Sequence, residues 1–555
     1  MSLSAMAGSR QKLSSVLGRA VSPWRAEGVS GRGLALGGSG GHLVRPRTGP
    51  SVVQTYSTAT VSSTSPAEDH SQARPFSDIP SPPSVPFFGN LFHLWREGLL
   101  SKDKIKKNHI LMFSNMFNQY GPIFRWKMLN VEMVCIKDPV AVQELFKKEG
   151  KYPARIDIKP WRRYREISGK ATGVFLSDGK EWQKTRTIMA RPMLRPKHVS
   201  TYVRNLDMVS SDMSERLRVL QARADGIEVP DISDELFKWA LESICTILFN
   251  ERMGYLQDNI PQNAQDFIQA MHTIFLTTNA LLVPDADVHR FLRTKPWRQS
   301  MEAWDTVFRV GEQVMDRQLQ EALEREERGE EDEDQPNFLA FISSTGRLSK
   351  DEIYSNTIEL MGAAIDTTST TLLWTLYELS RRPELQDRLH QEVTQVIGQD
   401  KVMTWDDLKD LHLLKAVIKE SLRMYPVAPA ISRVLQEDTV IMGYKLPAKT
   451  CVAAQVYAMG RDPHLFPDPD QFKPERWLRT GEAHDDINPY SSLPFGFGPR
   501  SCIGRRVAEV ELQLFLAKMS QQFVVSQVEP EEVSSVAQPI LMPETPLHLR
   551  FVDRK

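Results

Sequence analysis

Phe495-Gly496-Phe497-Gly498-Pro499-Arg500-Ser501-Cys502-Ile503-Gly504 is the stretch on which the fold turns. It places one cysteine in a loop with glycines at Gly498 and Gly504, where the lack of a Cβ lets the backbone turn sharply and lie close to a flat partner. Gly504, Arg505 and Arg506 then open an apolar-periodic run, Val507 to Phe515, that predicts a helix. Cys502 therefore stands at a helix N-terminus, where free amides and the dipole lower a thiol's pKa and favour the thiolate. The other cysteines, Cys135, Cys245 and Cys451, are widely scattered and form no C-x-x-C, which argues against a disulfide scaffold or a structural zinc site.

Upstream of this loop the chain reads as mostly helical. Residues 75–89 are a proline-rich, extended entry. A helical stretch to about Tyr120 follows, then short strands at 123–127 and 132–136 of the kind that pair in a hairpin. From about Val140 to Leu376 the periodicity is mainly helical, and the acidic run 324–334 reads as a solvated connecting loop. The longest helix is expected to start at Ser349, with Glu352 three residues on as a capping box, and to end near Ser380, before Pro383. About thirty residues at 1.5 Å each give about 45 Å, enough to cross a domain. Its midpoint, Gly362-Ala363-Ala364-Ile365-Asp366-Thr367-Thr368, can therefore face a buried cofactor. Asp and Thr are poor choices for a helix interior because they compete for backbone hydrogen bonds, so their clustering there calls for a reason.

Other pairs have helical spacing. Glu420 and Arg423 are three apart, and Phe472-Lys473-Pro474-Glu475-Arg476-Trp477 follows. Trp182 and Arg186 bring an indole N–H and a guanidinium, both donors, suited to one carboxylate. Lys415 and Lys419 share a helical face.

The 555 residues carry a net charge of −1, with 41% hydrophobic and 25% charged residues. That balance is ordinary for a globular enzyme and gives no reason to expect nucleic acid. No internal repeat is found. Before Glu68 the only acidic residue is Glu27, against seven Arg and Lys between Arg10 and Arg47, in a Ser- and Gly-rich context without an apolar core. This is the composition of a mitochondrial transit peptide, assigned to residues 1–40 and followed by a flexible linker at 41–75. No run of 18 apolar residues is present, so no membrane-spanning anchor is expected.

Over roughly residues 76–555 these motifs, in this order, resemble the haem-thiolate monooxygenases of the cytochrome P-450 superfamily. The resemblance implies a mainly α (α+β) fold: a single large cytochrome P-450-type helical domain with a long central helix and small β-sheets. It implies haem b with Cys502 as axial thiolate, a ligand that pushes electron density onto iron and favours O–O cleavage. By position it assigns Trp182, Arg186, Arg433, Phe495 and Arg500 to the haem, with the arginines and Trp182 on the propionates. Thr367 would hydrogen-bond bound oxygen and Asp366 would relay protons. The family often carries Ala-Gly before this pair, whereas here the second position is Ala364. Glu420, Arg423 and Arg476 would form a buried structural triad, with Trp477 where the family has Phe.

Transit-like composition without an anchor points to the mitochondrial clan. In that clan Lys415 and Lys419 would meet an acidic, adrenodoxin-like ferredoxin served by an NADPH-dependent reductase, with Arg505 and Arg506 adding positive charge. The implied location is the matrix side of the inner membrane, with peripheral membrane association. Residues 414–423 and 502–506 are most similar to the group that hydroxylates sterol side chains and vitamin D, with a retinoid-desaturating relative. The expected substrate is thus a lipophilic sterol, secosteroid or retinoid. Candidate pocket positions are Ile365, Val427, Ala428, Ala430, Ile431, Pro539, Ile540 and Leu541, mostly apolar. Two other readings keep the thiolate: an isomerase or dehydratase needing no external electrons, and a non-catalytic haem-binding lipid carrier. The Asp366-Thr367 pair and the two lysines argue against the first of these; the second keeps the fold and the thiolate but uses no reductant.

Overall fold

The computed structural model describes residues 73–96, 112–224, 229, 231–328, 338–398, 401–478, 487–530, 532–537 and 539–554. The transit-peptide assignment, and all of the linker assignment except 73–75, lie outside these residues.

One large helical core dominates. The Lys350–Ser380 helix runs through it, with most of its residues buried. Ser349 caps it as expected: its Oγ accepts from Glu352 N at 3.2 Å, and Glu352 Oε2 accepts from Ser349 N at 2.7 Å. The helix packs along Ile232–Phe249, which is buried almost all round, and against Arg505–Gln522, the helix that follows the cysteine loop. Trp239 meets the Phe515 ring edge-on at 4.8 Å, tying those two partners together. Gly362 lets the central helix approach the Gln262–Leu282 helix closely, for a Cβ there would lie 2.6 Å from Met271 Cε and would push that flexible side chain aside.

Two expectations about length are corrected. The Lys295–Glu327 helix, at 33 residues, exceeds the central helix at 31. It does so because the acidic run read as a loop begins as helix, with Gln320 Nε2 donating to Glu324 Oε1 one turn on, at 2.9 Å. Arg328 ends the helix in a turn, and the run from 329 on lies outside the described residues.

The β-structure is small. Ile123–Met128 and Val131–Ile136 form the expected antiparallel hairpin, Val131–Ile136 pairs in parallel with Cys451–Ala454, and that strand pairs antiparallel with Ile431–Val434. A second apolar core, including Ile123, Val134, Ile136, Val452 and Ala454, backs this sheet. Arg433 sits in register with Val452, so the sheet fixes where its guanidinium can reach.

Candidate functional site

The cysteine loop is held by its own backbone. Cys502 N donates to Phe495 O at 2.8 Å, and Ser501 N to Gly498 O at 3.0 Å. Gly496 and Gly498 take φ of +70° and +72°, left-handed values that favour glycine. Gly504 does not turn the chain in this way. It caps the following helix at φ −85°, and a Cβ there would meet only Cys502 Sγ at 4.0 Å. Cys502 is accessible at its surface and at the same time crowded by the surrounding chain. Burial pushes its thiol above the ordinary value, opposed by the Gly504 amide and by Arg186, Arg155 and Arg505. The expected net lowering by the helix end is therefore corrected. A coordinating metal would supply the missing stabilisation, since it deprotonates a thiol outright.

A cluster of guanidinium groups surrounds the loop. Arg500 stacks on Trp182, 4.1 Å from the ring centre, and donates to Pro153 O, Ser177 O and Asp178 Oδ1 at 2.8, 2.8 and 2.6 Å. Three of its five N–H donors are thus committed to the chain itself. Arg433 donates to Glu149 Oε2 at 2.5 Å and to the Ser432 and Phe497 carbonyls. Arg155, which the motifs did not single out, donates to Arg500 O. Burial first, and the neighbouring cations second, push Arg155 down to about 9; burial lowers Arg500 to about 10 against the pull of Asp178, with Arg433 adding to the fall, and burial lowers Arg186. Four guanidinium groups face two carboxylates, Glu149 and Asp178, so the cluster has a cationic excess suited to a dianion. A flat macrocycle with two carboxylates and an open metal position fits this donor set.

The central helix presents Ala363, Ala364 and Thr367 as residues with open surface, although its other sides are buried. These positions share one helical face. Thr367 Oγ1 donates to Ala363 O at 2.8 Å, and the helix runs unbroken through Ala364. Asp366 is buried, and its Oδ1 lies 2.8 Å from His272 Nδ1.

Ile365, expected in the pocket, is fully enclosed in the main core because it points about 100° away from Ala364. Leu541 is equally enclosed. Its backbone N donates to Val427 O, and its O accepts from Trp374 Nε1, which brings the 427–431 and 539–541 segments together against the central helix. Ala428 and Ala430 are exposed, Ile431 and Pro539 partly so, and Val427 and Ile540 are buried.

On the His412–Met424 helix, Glu420 gathers its partners. Arg423 Nε and Nη2 donate to it at 2.9 and 2.8 Å, Arg476 Nε at 3.2 Å, and Lys473 N at 2.8 Å. Trp477 Nε1 adds a bond at 2.9 Å that a Phe could not make. Lys419 is exposed, whereas Lys415 is half-buried, with Nζ donating to Lys409 O at 2.7 Å and burial lowering its pKa.

The sequence profile of the cytochrome P-450 family matches residues 79–551. A mitochondrial cholesterol side-chain cleavage enzyme of Capra hircus is 36% identical over 479 residues, 86% of this chain and 89% of the relative. One from Oncorhynchus mykiss is 38% identical over 481 residues, 85% and 91% of the two chains. A mitochondrial 25-hydroxyvitamin D-1 alpha hydroxylase of Rattus norvegicus is 37% identical over 491 residues, 87% and 95%.

Proposed function

This chain belongs to the cytochrome P-450 family of haem-thiolate monooxygenases, and on that premise we propose that it hydroxylates a sterol, secosteroid or retinoid in the mitochondrion. The observation that carries the reading is Cys502, accessible yet enclosed, on a loop ringed by arginines.

Haem iron, held by Cys502, would supply oxygen activation. The chain's own residues do the rest. Arg155, Arg186, Arg433 and Arg500 hold negative charge at the cofactor's edge, and Trp182 supports Arg500 from beneath. Phe495 O anchors the Cys502 amide and so fixes the loop. Ala363 and Ala364 leave space beside Thr367, whose hydroxyl can turn from Ala363 O toward that space. Asp366, buried beside it on the same helix, relays protons toward that space. Lys419, with Lys415 beside it, offers an acidic ferredoxin a docking charge, with electrons drawn from NADPH through a reductase. Without an external reductant, as an isomerase or lipid carrier requires, neither lysine has work to do.

No described helix is long and apolar enough to cross a membrane. Peripheral association is supported by exposed Phe87 and Trp95 near the start of the domain and by exposed Phe291 and Leu292 after the Gln262–Leu282 helix. The 123–136 hairpin touches the segments that lead into both. Gly89 bridges to Met128 in the hairpin, and the hairpin's Asn130 Nδ2 reaches Leu282 O at 3.4 Å.

The test is a reduced carbon monoxide difference spectrum, with NADPH consumption measured in the presence of ferredoxin, its reductase and a panel of sterols, secosteroids and retinoids. A thiolate-type band with product formed from one class supports the reading. A band without reductant-dependent product would favour the isomerase or carrier.

A further inference from the structure

We infer that His272 is the positioning residue for Asp366 and the point at which solvent protons enter the site. The inference rests on the functional reading above, because monooxygenation draws protons from solvent to make water from the second oxygen atom.

The Asp366 side chain is 1% exposed, and apart from His272 neither of its oxygens meets a well-aligned donor among the described residues. A buried carboxylate needs such a partner, since a charge taken out of water without compensation is strongly disfavoured. His272 Nδ1 stands 2.8 Å away, close but off the ideal hydrogen-bond line. The histidine comes from a different helix, Gln262–Leu282, and 26% of its side chain is open. One imidazole thus spans from a sealed acid to water. The Phe237 ring meets it edge-on at 4.4 Å and 85°, which holds its plane.

The charges that face the imidazole are acidic: Asp366 from the central helix, and Asp234 and Asp231 from the start of Ile232–Phe249. On the Lys295–Glu327 helix, Asp305 is engaged by Tyr164, and Arg309 lies 3.6 Å from Asp266. Burial alone would lower the imidazole pKa, but the Asp366 contact and the two further acids outweigh it, so the net shift is upward. The protonated imidazole is therefore favoured relative to that of an unperturbed histidine.

The transfer balances simply. The imidazolium gives its Nδ1 proton to Asp366 Oδ1 and is left neutral with Nε2–H. A ring turn exposes Nδ1 to water, which reprotonates it. Asp366, beside Thr367, passes the proton on, and one positive charge enters per cycle.

The experiment compares holoenzyme carrying His272→Gln, His272→Lys, Asp366→Asn or Thr367→Ala with the wild type. In the diamagnetic ferrous carbon monoxide form, 13C-labelled His272, assigned by its loss in H272Q, should titrate above the usual value of about 6.5 and fall toward or below it in D366N. Turnover of H272Q should drop severalfold, lose its inflection between about pH 6 and 8 and show a larger solvent deuterium isotope effect. Its spectral affinity for substrate should stay unchanged, and H272K should recover part of the rate. H272Q with wild-type pH profile and isotope effect, while T367A still uncouples, overturns the inference and leaves the functional reading standing. A His272 titration indifferent to D366N overturns the pairing on its own. A wild type without the thiolate-type band removes the functional reading, and this inference with it.

Discussion

Glu420 shows how much one side chain can organise. It accepts from two buried arginines, an indole and a backbone amide, so Glu420→Ala would strand Arg423 and Arg476 in the core. We expect a loss of about 3–5 kcal/mol in chemical denaturation, the usual penalty for breaking a buried pair. At Cys502, Cys502→Ala should abolish the thiolate-type carbon monoxide band, because the other three cysteines are buried away from this loop. Retention of the band would refute the assignment. Glu511, on the helix behind the loop, is a different case. Burial pushes it up to about 8, with only Thr368 drawing it back. Its folded-state pKa lies above the unfolded value of about 4.3, so stability is intact below that pH and falls as pH rises to about 8. Glu511→Gln removes the titration. Thermal melts should therefore show little change at pH 4 and a clear rise in melting temperature at pH 8.

At the scale of elements, the central helix joins two functions, a scaffold at its ends and a site at its middle. Ser349→Ala removes half of the capping box and should lower stability by about 1 kcal/mol, with catalysis per folded molecule unchanged. Thr367→Ala, at the middle, should do the reverse: the fold and substrate binding persist while NADPH is diverted to peroxide, read as product formed per NADPH consumed. On the His412–Met424 helix, Lys415→Gln with Lys419→Gln should raise the ferredoxin concentration for half-maximal turnover. The defect should shrink with salt, because exposed charges are screened over about 8 Å at physiological ionic strength. Lys419→Gln should carry most of the effect, since Lys415 is half-buried and bonded to Lys409 O.

At the scale of the whole molecule, two segments far apart along the chain each expose an aromatic side chain, Trp95 and Phe291. Trp95→Ser with Phe291→Ser should cut binding to vesicles of inner-membrane composition without altering the carbon monoxide band. Equal vesicle binding by the double variant would place the membrane contact elsewhere. By itself the sequence determined what short-range chemistry can write: the cysteine loop, the Ser349 cap, the hairpin and the Glu-x-x-Arg pair all lie within a few residues, where spacing alone sets geometry. Ile365 was misplaced because motif position does not say which face of a helix meets a cavity. Gly504 was misread because the type of residue does not reveal its φ. Arg155, Glu149 and His272 carry no local signal at all, for their partners lie 345, 284 and 94 residues away along the chain. Only the packing of the helices against one another, which buries Asp366 and brings His272 to within 2.8 Å of it, could decide that these groups belong to one site.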